Sequence, residues 1–407
     1  MDVEIRQVRE DEFELFGQTV AAAHGGELTA EFLERIRPVV DTSRSHCALE
    51  GGRMVGTAEA LRFSLTVPGG EVPAAGVTSV GVLPSHRRRG ILTGLMRRQL
   101  EDVHGWGEPV AVLWSSEGSI YHRFGYGLAS RNARIDAERD RSAFRHPSPP
   151  AGRVRLVSKE EALEALPGIY DRVRAETPGF FSRSRVWWEA ISLADDQRER
   201  GSAGPLFHAV LELDGRPEAY ALYRVERDWQ LGVSASRLHV QEEVSASPLA
   251  TREIWRFLFG VDLVERVQAR RLPADHPLFL LVAEPARLRL SQGDGLWLRV
   301  VDVAAALAAR SYAAEGSLAF ELADPFCPWN EGRWLLEASP GGAAVRRVEA
   351  DPDLRLEAAD LAAVYLGGFG FADLARAGRV EERAPGAIAR ADALFHTDRA
   401  PWCPELF

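Results

Sequence analysis

The sequence predicts an α/β (α+β) protein of more than one domain, and three observations predict it. Its 407 residues exceed one ordinary domain. Segments with strand-like and helix-like apolar spacing alternate along it. Pro147, Pro149, Pro150 and Gly152 then interrupt the pattern as a linker would.

The first segment opens with a short strand over residues 3–8. Glu10 and Asp11 start an amphipathic helix to about Ala23, with acids where the helix dipole favours them. Strands at Cys47–Glu50 and Met54–Leu61 flank the hairpin signal Gly51-Gly52. A strand at Val77–Leu83 ends at Pro84, and Leu92, Leu95, Met96, Leu100 and Val103 follow at helical spacing. Val110–Trp114 reads as a buried strand, Ser119–Arg123 as a brief helix and Ala129–Ile135 as a further strand. After the break the order repeats in pattern: strand Val154–Val157, helices from Lys159 and over Ser184–Ser192, and a strand pair joined at Asp214-Gly215. The strand Leu238–Val240, the helix Thr251–Phe259 and an apolar run read as a strand, Leu278–Ala283, complete it. This is the pattern of a diverged duplication. A third segment from Leu296 mixes helices (Val303–Ala309, Ala358–Leu366, Pro385–Phe395) with strands (Ser317–Leu322, Arg333–Glu337). The expected domains are therefore 1–147, 148–295 and 296–407.

Composition bounds the function. Hydrophobic residues make up 46% and charged residues 27%, which reads as globular. The net charge of −10 disfavours nucleic acid and anionic membrane as partners and favours cations such as amines. The N-terminus lacks a signal-peptide pattern, and the most apolar windows are too short to span a bilayer. Cys47, Cys327 and Cys403 are odd in number and far apart, which argues against disulfides and a thiolate zinc site and fits a reducing cytoplasm. The histidines are scattered, so no metal is expected.

Against this acidic background the stretch Val77–Leu92 stands out. A strand runs into Arg87-Arg88-Arg89-Gly90 and then into a helix. Helix N-termini bind anions through backbone N–H groups that lack intrahelical partners, and arginine adds fork-shaped donors for phosphate. A solvated arginine run beside a turn is the competing reading. Farther on stands Trp114-Ser115-Ser116-Glu117-Gly118-Ser119-Ile120-Tyr121-His122-Arg123-Phe124-Gly125-Tyr126-Gly127.

With both stretches in place the chain resembles the GNAT acetyltransferases, whose phosphate loop reads Arg/Gln-x-x-Gly-x-Gly/Ala. Arg87–Leu92 matches it except that Leu92 replaces the last small residue. Tyr121 before Gly125-Tyr126 matches the family's later pattern. The full set of residues, and the length, resemble the enhanced intracellular survival (Eis) family. That resemblance implies tandem GNAT folds, the second degenerate, and a C-terminal domain like sterol carrier proteins. In the second segment Arg198-Glu199-Arg200-Gly201 has the loop spacing but follows a helix.

The resemblance also implies roles. Val80 and Val82 would lend backbone groups to the pantetheine of acetyl-CoA. Arg87, Arg88, Gly90 and Ile91 would hold its pyrophosphate, and Ser115 and Ser116 would lie near it. Tyr121 would be the general acid, against a competing reading as a packed ring bonded to a backbone carbonyl. The C-terminal carboxylate, here that of Phe407, would be the general base, with Glu405 adding charge or merely solvated. Implied substrates are small-molecule amines with several amino groups, such as aminoglycosides, and the implied assembly is a homo-hexamer. A non-catalytic acyl-CoA sensor and a lipid-binding protein are the alternatives. Trp187-Trp188 and Cys403 read as core.

Overall fold

The computed structural model describes residues 3–407. They form two compact units: residues up to Ser130 with Gly295–Pro401 and Glu405–Phe407, and Arg131–Asp294 with Trp402–Pro404.

In the first unit the chain runs β1 (Glu4–Gln7), α1 (Phe13–Ala23), α2 (Ala30–Ile36), β2 (Ser45–Glu50), β3 (Arg53–Val67), β4 (Gly70–Val82), α3 (Ile91–Gly105), β5 (Val110–Trp114), α4 (Gly118–Tyr121) and β6 (Gly127–Leu128). The β2–β3 hairpin turns on Gly51 and Gly52 at φ 58 and 80, the left-handed pair that a two-residue turn needs. The sheet order is β1-β2-β3-β4-β5, then Leu296–Val300, then β6. Only β4 and β5 pair in parallel, with α3 crossing between them; the other pairs are antiparallel. Leu95, Met96, Leu100 and Val103 bury the inner face of α3.

A second sheet in this unit orders Gly342–Arg347, Gly332–Ser339, Gly316–Ala323, Leu354–Glu357 and Glu381–Glu382. Arg299, on the strand Leu296–Val300, is fully buried and donates to both oxygens of Asp324 (2.7 and 2.6 Å). Asn330 Nδ2 adds a 3.1 Å bond to Asp324 Oδ2. Both bonds come from Nη2, and the contact with a full counter-charge is what makes so desolvated a pair tolerable.

The second unit holds a seven-stranded sheet ordered Ser291–Asp294, Arg131–Glu138, Arg266–Pro273, Arg237–Ser245, Arg216–Glu226, Phe207–Leu213 and Arg153–Val157. The helices Lys159–Arg174 and Pro248–Gly260 bury Leu166, Ile169 and Tyr170, and Ile254, Trp255 and Leu258, respectively. Trp187 and Trp188 are buried, as expected.

Two expectations change. The first unit boundary falls at 130/131 rather than at 147/148, while the second, at 294/295, lies within a residue of the cut at 295/296. The strand Arg131–Glu138 belongs to the second sheet and Leu296–Val300 to the first, so the proline-rich stretch is a loop inside the second unit. An alternating strand pattern reads the same whichever sheet the strand joins. The run Leu278–Ala283 is a helical turn, Leu278–Leu281, following Pro277. The strand expected after the helix is Arg266–Pro273, whose Arg266, Arg270 and Arg271 masked the inward Val267, Ala269 and Leu272.

Candidate active site

The site starts with a bulge in β4. Thr57 and Glu59 of β3 pair with Gly81 and Thr78, so β4 carries one residue in excess, and Ser79 sits there at φ 53. Thr57 Oγ1 donates to the Ser79 carbonyl (2.8 Å), and Ser79 Oγ donates to Glu59 Oε2 (3.0 Å). On its other edge β4 pairs with β5 only at Ala74–Val110, Ala75–Ala111 and Gly76–Val112. β4 nevertheless runs on to Val82, and β5 to Trp114. Since β5 keeps its far-side pairing with Leu296–Val300 along its whole length, the two strands part into a fork beyond Gly76. Backbone groups along that open edge are free to bond a ligand.

The arginine loop closes the far end. Gly90 adopts φ 83 and starts α3 without a side-chain cap, which leaves the first N–H groups of a 15-residue helix available to an anion. Its three arginines differ in what they do. Arg87 donates through Nη2 to the Ala23 carbonyl (2.8 Å) and through Nε to that of Val82 (3.2 Å), tying the loop to the end of α1. Arg89 pairs with Glu50, which also lies 3.1 Å from His86 Nε2, and the hydrogen bond from Arg89 holds the Glu50 carboxyl below its usual range. Arg88 is exposed at φ 62 and has no hydrogen bond or ion pair among the described residues. Ile91 and Val82 are buried in the core, so they can offer only backbone; Val80 is half-buried.

At the tip of β5, Trp114 Nε1 and Ser115 Oγ are buried without a hydrogen-bond partner. Such orphans cost roughly 1–3 kcal/mol each unless a ligand or water satisfies them. Ser116 is exposed. Tyr121, the last residue of α4, packs among Ala75, Val77, Met96 and Leu100, with its ring 5.8 Å from that of Tyr126. Its ring is buried in the core, and its hydroxyl bonds to no carbonyl among the described residues. Burial pushes the phenol pKa up, so it holds its proton at neutral pH. Tyr126 is fully buried, and a Cβ at neighbouring Gly125 would lie 2.3 Å from Arg299 Nη1.

The other end of the chain reaches the same strand. The half-buried Phe407 sets its ring edge-on to Phe63, at 5.2 Å between centroids. Phe63 lies over Gly76, where a Cβ would come 2.1 Å from the ring. Gly76 is the last β4 residue paired to β5. Tyr121 thus belongs to the same core cluster as Ala75 and Val77, while Phe407 reaches Gly76 through Phe63, at the point where the fork opens. Glu405 is buried. Sequence reasoning passed over Ser79, Phe63 and Glu59. A glutamate inside the apolar run Met54–Leu61 was the available signal. Among the described residues no group of three or more His, Cys, Asp or Glu could hold a metal, and no helix is long and apolar enough to cross a membrane.

Known proteins match both the sequence and the fold. Models of the GNAT acetyltransferase domain match residues 4–129 and 179–300, and a sterol carrier protein domain matches 303–404. The chain is 40% identical over the full length of both chains to an uncharacterized N-acetyltransferase of Streptomyces avermitilis. It is 35% identical to the N-acetyltransferase Eis of Mycobacterium tuberculosis, over 86% of this chain and 84% of that one. The crystal structure of Eis1 from Mycobacterium abscessus superposes with a TM-score of 0.84 at 35% identity, covering all of both chains. Two GNAT folds, a sterol-carrier-like C-terminal domain and full-length relatives of this kind place the chain in the Eis group of GNAT-family N-acetyltransferases.

Proposed function

We propose that this N-acetyltransferase transfers the acetyl group of acetyl-CoA directly to primary amines of multi-amine compounds, aminoglycosides among them. GNAT acetyltransferases use acetyl-CoA, and when bound it supplies the thioester. The chain's own groups fit it. The open β4 edge from Val77 to Val82 offers backbone to the pantetheine, and the uncapped start of α3 with Arg88 offers donors to the pyrophosphate. Arg87 holds the loop in shape through carbonyls, and the buried Ser115 Oγ and Trp114 Nε1 have hydrogen-bonding capacity left for a ligand.

The observation that carries the reading is the fork beyond Gly76, with Phe407 on the Phe63 ring over its apex and Tyr121 in the core cluster that holds Ala75 and Val77. Tyr121 holds a proton on its hydroxyl and gives it to the departing sulfur. A thiolate, with a conjugate-acid pKa of roughly 8.5 for a cysteine-like thiol, is a fit acceptor for a phenol proton. The α-carboxylate of Phe407 binds and orients the incoming ammonium and receives its proton as the amine attacks. The net charge of −10 favours arrival of such cations. Homo-hexameric assembly belongs to the same proposal, on the family resemblance.

The test is free-thiol release from acetyl-CoA by protein with a native C-terminus, with and without a multi-amine aminoglycoside. Amine-dependent release with acetylated product in the mass spectrum supports the reading. CoA binding without release across a broad amine panel would return the chain to the class of acyl-CoA sensors.

A further inference from the structure

Glu59 is a carboxylate in the wrong company. It is 3% exposed, on the central strand β3, and no Lys, Arg or His pairs with it among the described residues. Oε2 accepts from Ser79 Oγ (3.0 Å), and Oε1 is buried with no partner. Its surroundings supply no counter-charge. β2 sets Ser45 opposite it, and β4 sets Thr78. The turn Thr42–Arg44 brings Asp41, whose charge opposes ionisation further. Arg44 of that turn is committed to Glu108 (2.7 Å) and to the Ala60 carbonyl (2.7 Å). α1 carries one ionisable residue, Glu14, which accepts from Gln18 (3.2 Å). α3 packs on the opposite face of β3, against Ala58 and Ala60. His46 on β2 is bonded to Asp102 (2.8 Å) of that helix.

The placement is equally specific. Glu59, Leu61 and Phe63 alternate onto one face of β3, so Glu59 shares a face with the ring that Phe407 touches. Ser79 is the residue that the β4 bulge throws out, three positions beyond the fork at Gly76. It joins the open edge of the fork to a buried carboxylate.

We infer that Glu59, reached through the Ser79 hydroxyl, is the final acceptor of the proton that the attacking amine loses. This rests on the acetyl-transfer reading above. The step balances. The C–N bond forms at the acetyl carbonyl as the C–S bond breaks, and its electron pair leaves on sulfur. Of the two protons the ammonium sheds, the first goes to the Phe407 carboxylate and on to solvent; the second, lost as the C–N bond forms, passes to Ser79 Oγ while the Ser79 hydroxyl proton passes to Glu59 Oε2. Sulfur takes the Tyr121 proton. Glu59 ends protonated and Tyr121 deprotonated, and one proton returned through solvent from the first to the second resets the site. The Phe407 carboxylate, with an intrinsic pKa of roughly 3.5, orients the ammonium well but holds a proton poorly. Burial pushes the Glu59 carboxyl up to about 7, closer to an amine and in the range where a general base works best.

The experiment is the pH profile of kcat/KM for an aminoglycoside acceptor, from pH 5.5 to 9, in the wild type, Glu59→Gln and Ser79→Ala. Glu59→Gln keeps an acceptor for Ser79 and the same shape, so a merely structural role would leave the profile in place. The wild type is expected to show an ascending limb near pH 7, because Glu59 must be ionised to accept. Glu59→Gln is expected to lose that limb and roughly 10²-fold of kcat at pH 7.5, with CoA affinity unchanged. Ser79→Ala is expected to lower kcat while the limb stays. An active wild type whose limb and kcat survive Glu59→Gln overturns this inference alone. A wild type that binds CoA but acetylates no amine overturns the acetyl-transfer reading, and the inference with it.

Discussion

The two GNAT sheets contain the same strand–helix–parallel-strand unit, and they differ in how the helix start and the buried acids are satisfied. In the second, Arg237–Ser245 pairs in parallel with Arg266–Pro273 over Arg237–Val240, with the helix Pro248–Gly260 between. There the helix start is closed: Ser247 accepts from the Ala250 N–H (3.2 Å), and Pro248 has no N–H to give. The acids on its strand are satisfied by their own neighbours. Glu242 takes both Arg183 nitrogens (2.9 and 2.6 Å) and the Tyr220 hydroxyl (2.5 Å), and Glu243 takes His276 (3.0 Å) and Trp255 (3.2 Å). In the first sheet the helix start is open, Arg88 is unpaired, and Glu59, Ser115 and Trp114 carry orphan atoms. Topology is common to both copies; the open helix start and the unpaired buried carboxylate belong to the first alone.

The strongest way to break this contrast is to remove the reacting groups. Tyr121→Phe and deletion of Phe407 are each expected to lower kcat by about 10²–10⁴-fold. CoA affinity by calorimetry should stay within about twofold for both. Loss of CoA binding in step with kcat would make Tyr121 a packing residue after all. Glu242→Ala in the second unit should do the reverse. It leaves Arg183, 1% exposed, without its carboxylate and should cost about 3–5 kcal/mol of stability, seen as a fall in Tm. The folded fraction should keep the wild-type kcat/KM.

How much of this was legible in the sequence follows from the range of each interaction. The hairpin at Gly51-Gly52, the helix after Gly90 and the loop–helix junction are local, written in turn residues and short periodicities. Tyr121 and Phe407 entered through resemblance, and the packing of Phe407 on Phe63 joins residues 344 positions apart, which no local pattern encodes. The same holds for the exchange of strands at Ser130–Arg131 and Asp294–Gly295, since alternation does not say which sheet a strand will join. The three arginines looked equivalent as letters. Only the fold shows Arg87 on two carbonyls, Arg89 on Glu50, and Arg88 left over. Glu59 was visible as a misplaced acid, but its meaning depends on a bulge in another strand.

That division among the arginines gives the next prediction. Arg88→Ala removes a charge-assisted donor worth about 1.5–3 kcal/mol, so the Kd for CoA should rise about 10- to 100-fold with kcat at saturation unchanged. Arg89→Ala frees Glu50 beside the loop and should weaken binding less, by unmasking a carboxylate near the phosphates. Equal effects would mean that the loop acts through summed charge alone.

The smallest effect probes the comparison most directly. Ser247→Ala uncaps the helix Pro248–Gly260 and should cost about 1 kcal/mol of stability. It also leaves that helix start with an unsatisfied N–H group, as at Gly90. If an open helix N-terminus were enough to bind the pyrophosphate, calorimetry on Ser247→Ala would find a second CoA per chain. The expected stoichiometry remains one. The second copy has no Arg-x-x-Gly turn leading from its strand, and Pro248 lacks an N–H where Ile91 has one. A second binding event would move the explanation from the loop and fork to the helix end alone, and the two copies would then differ by a single capping hydroxyl.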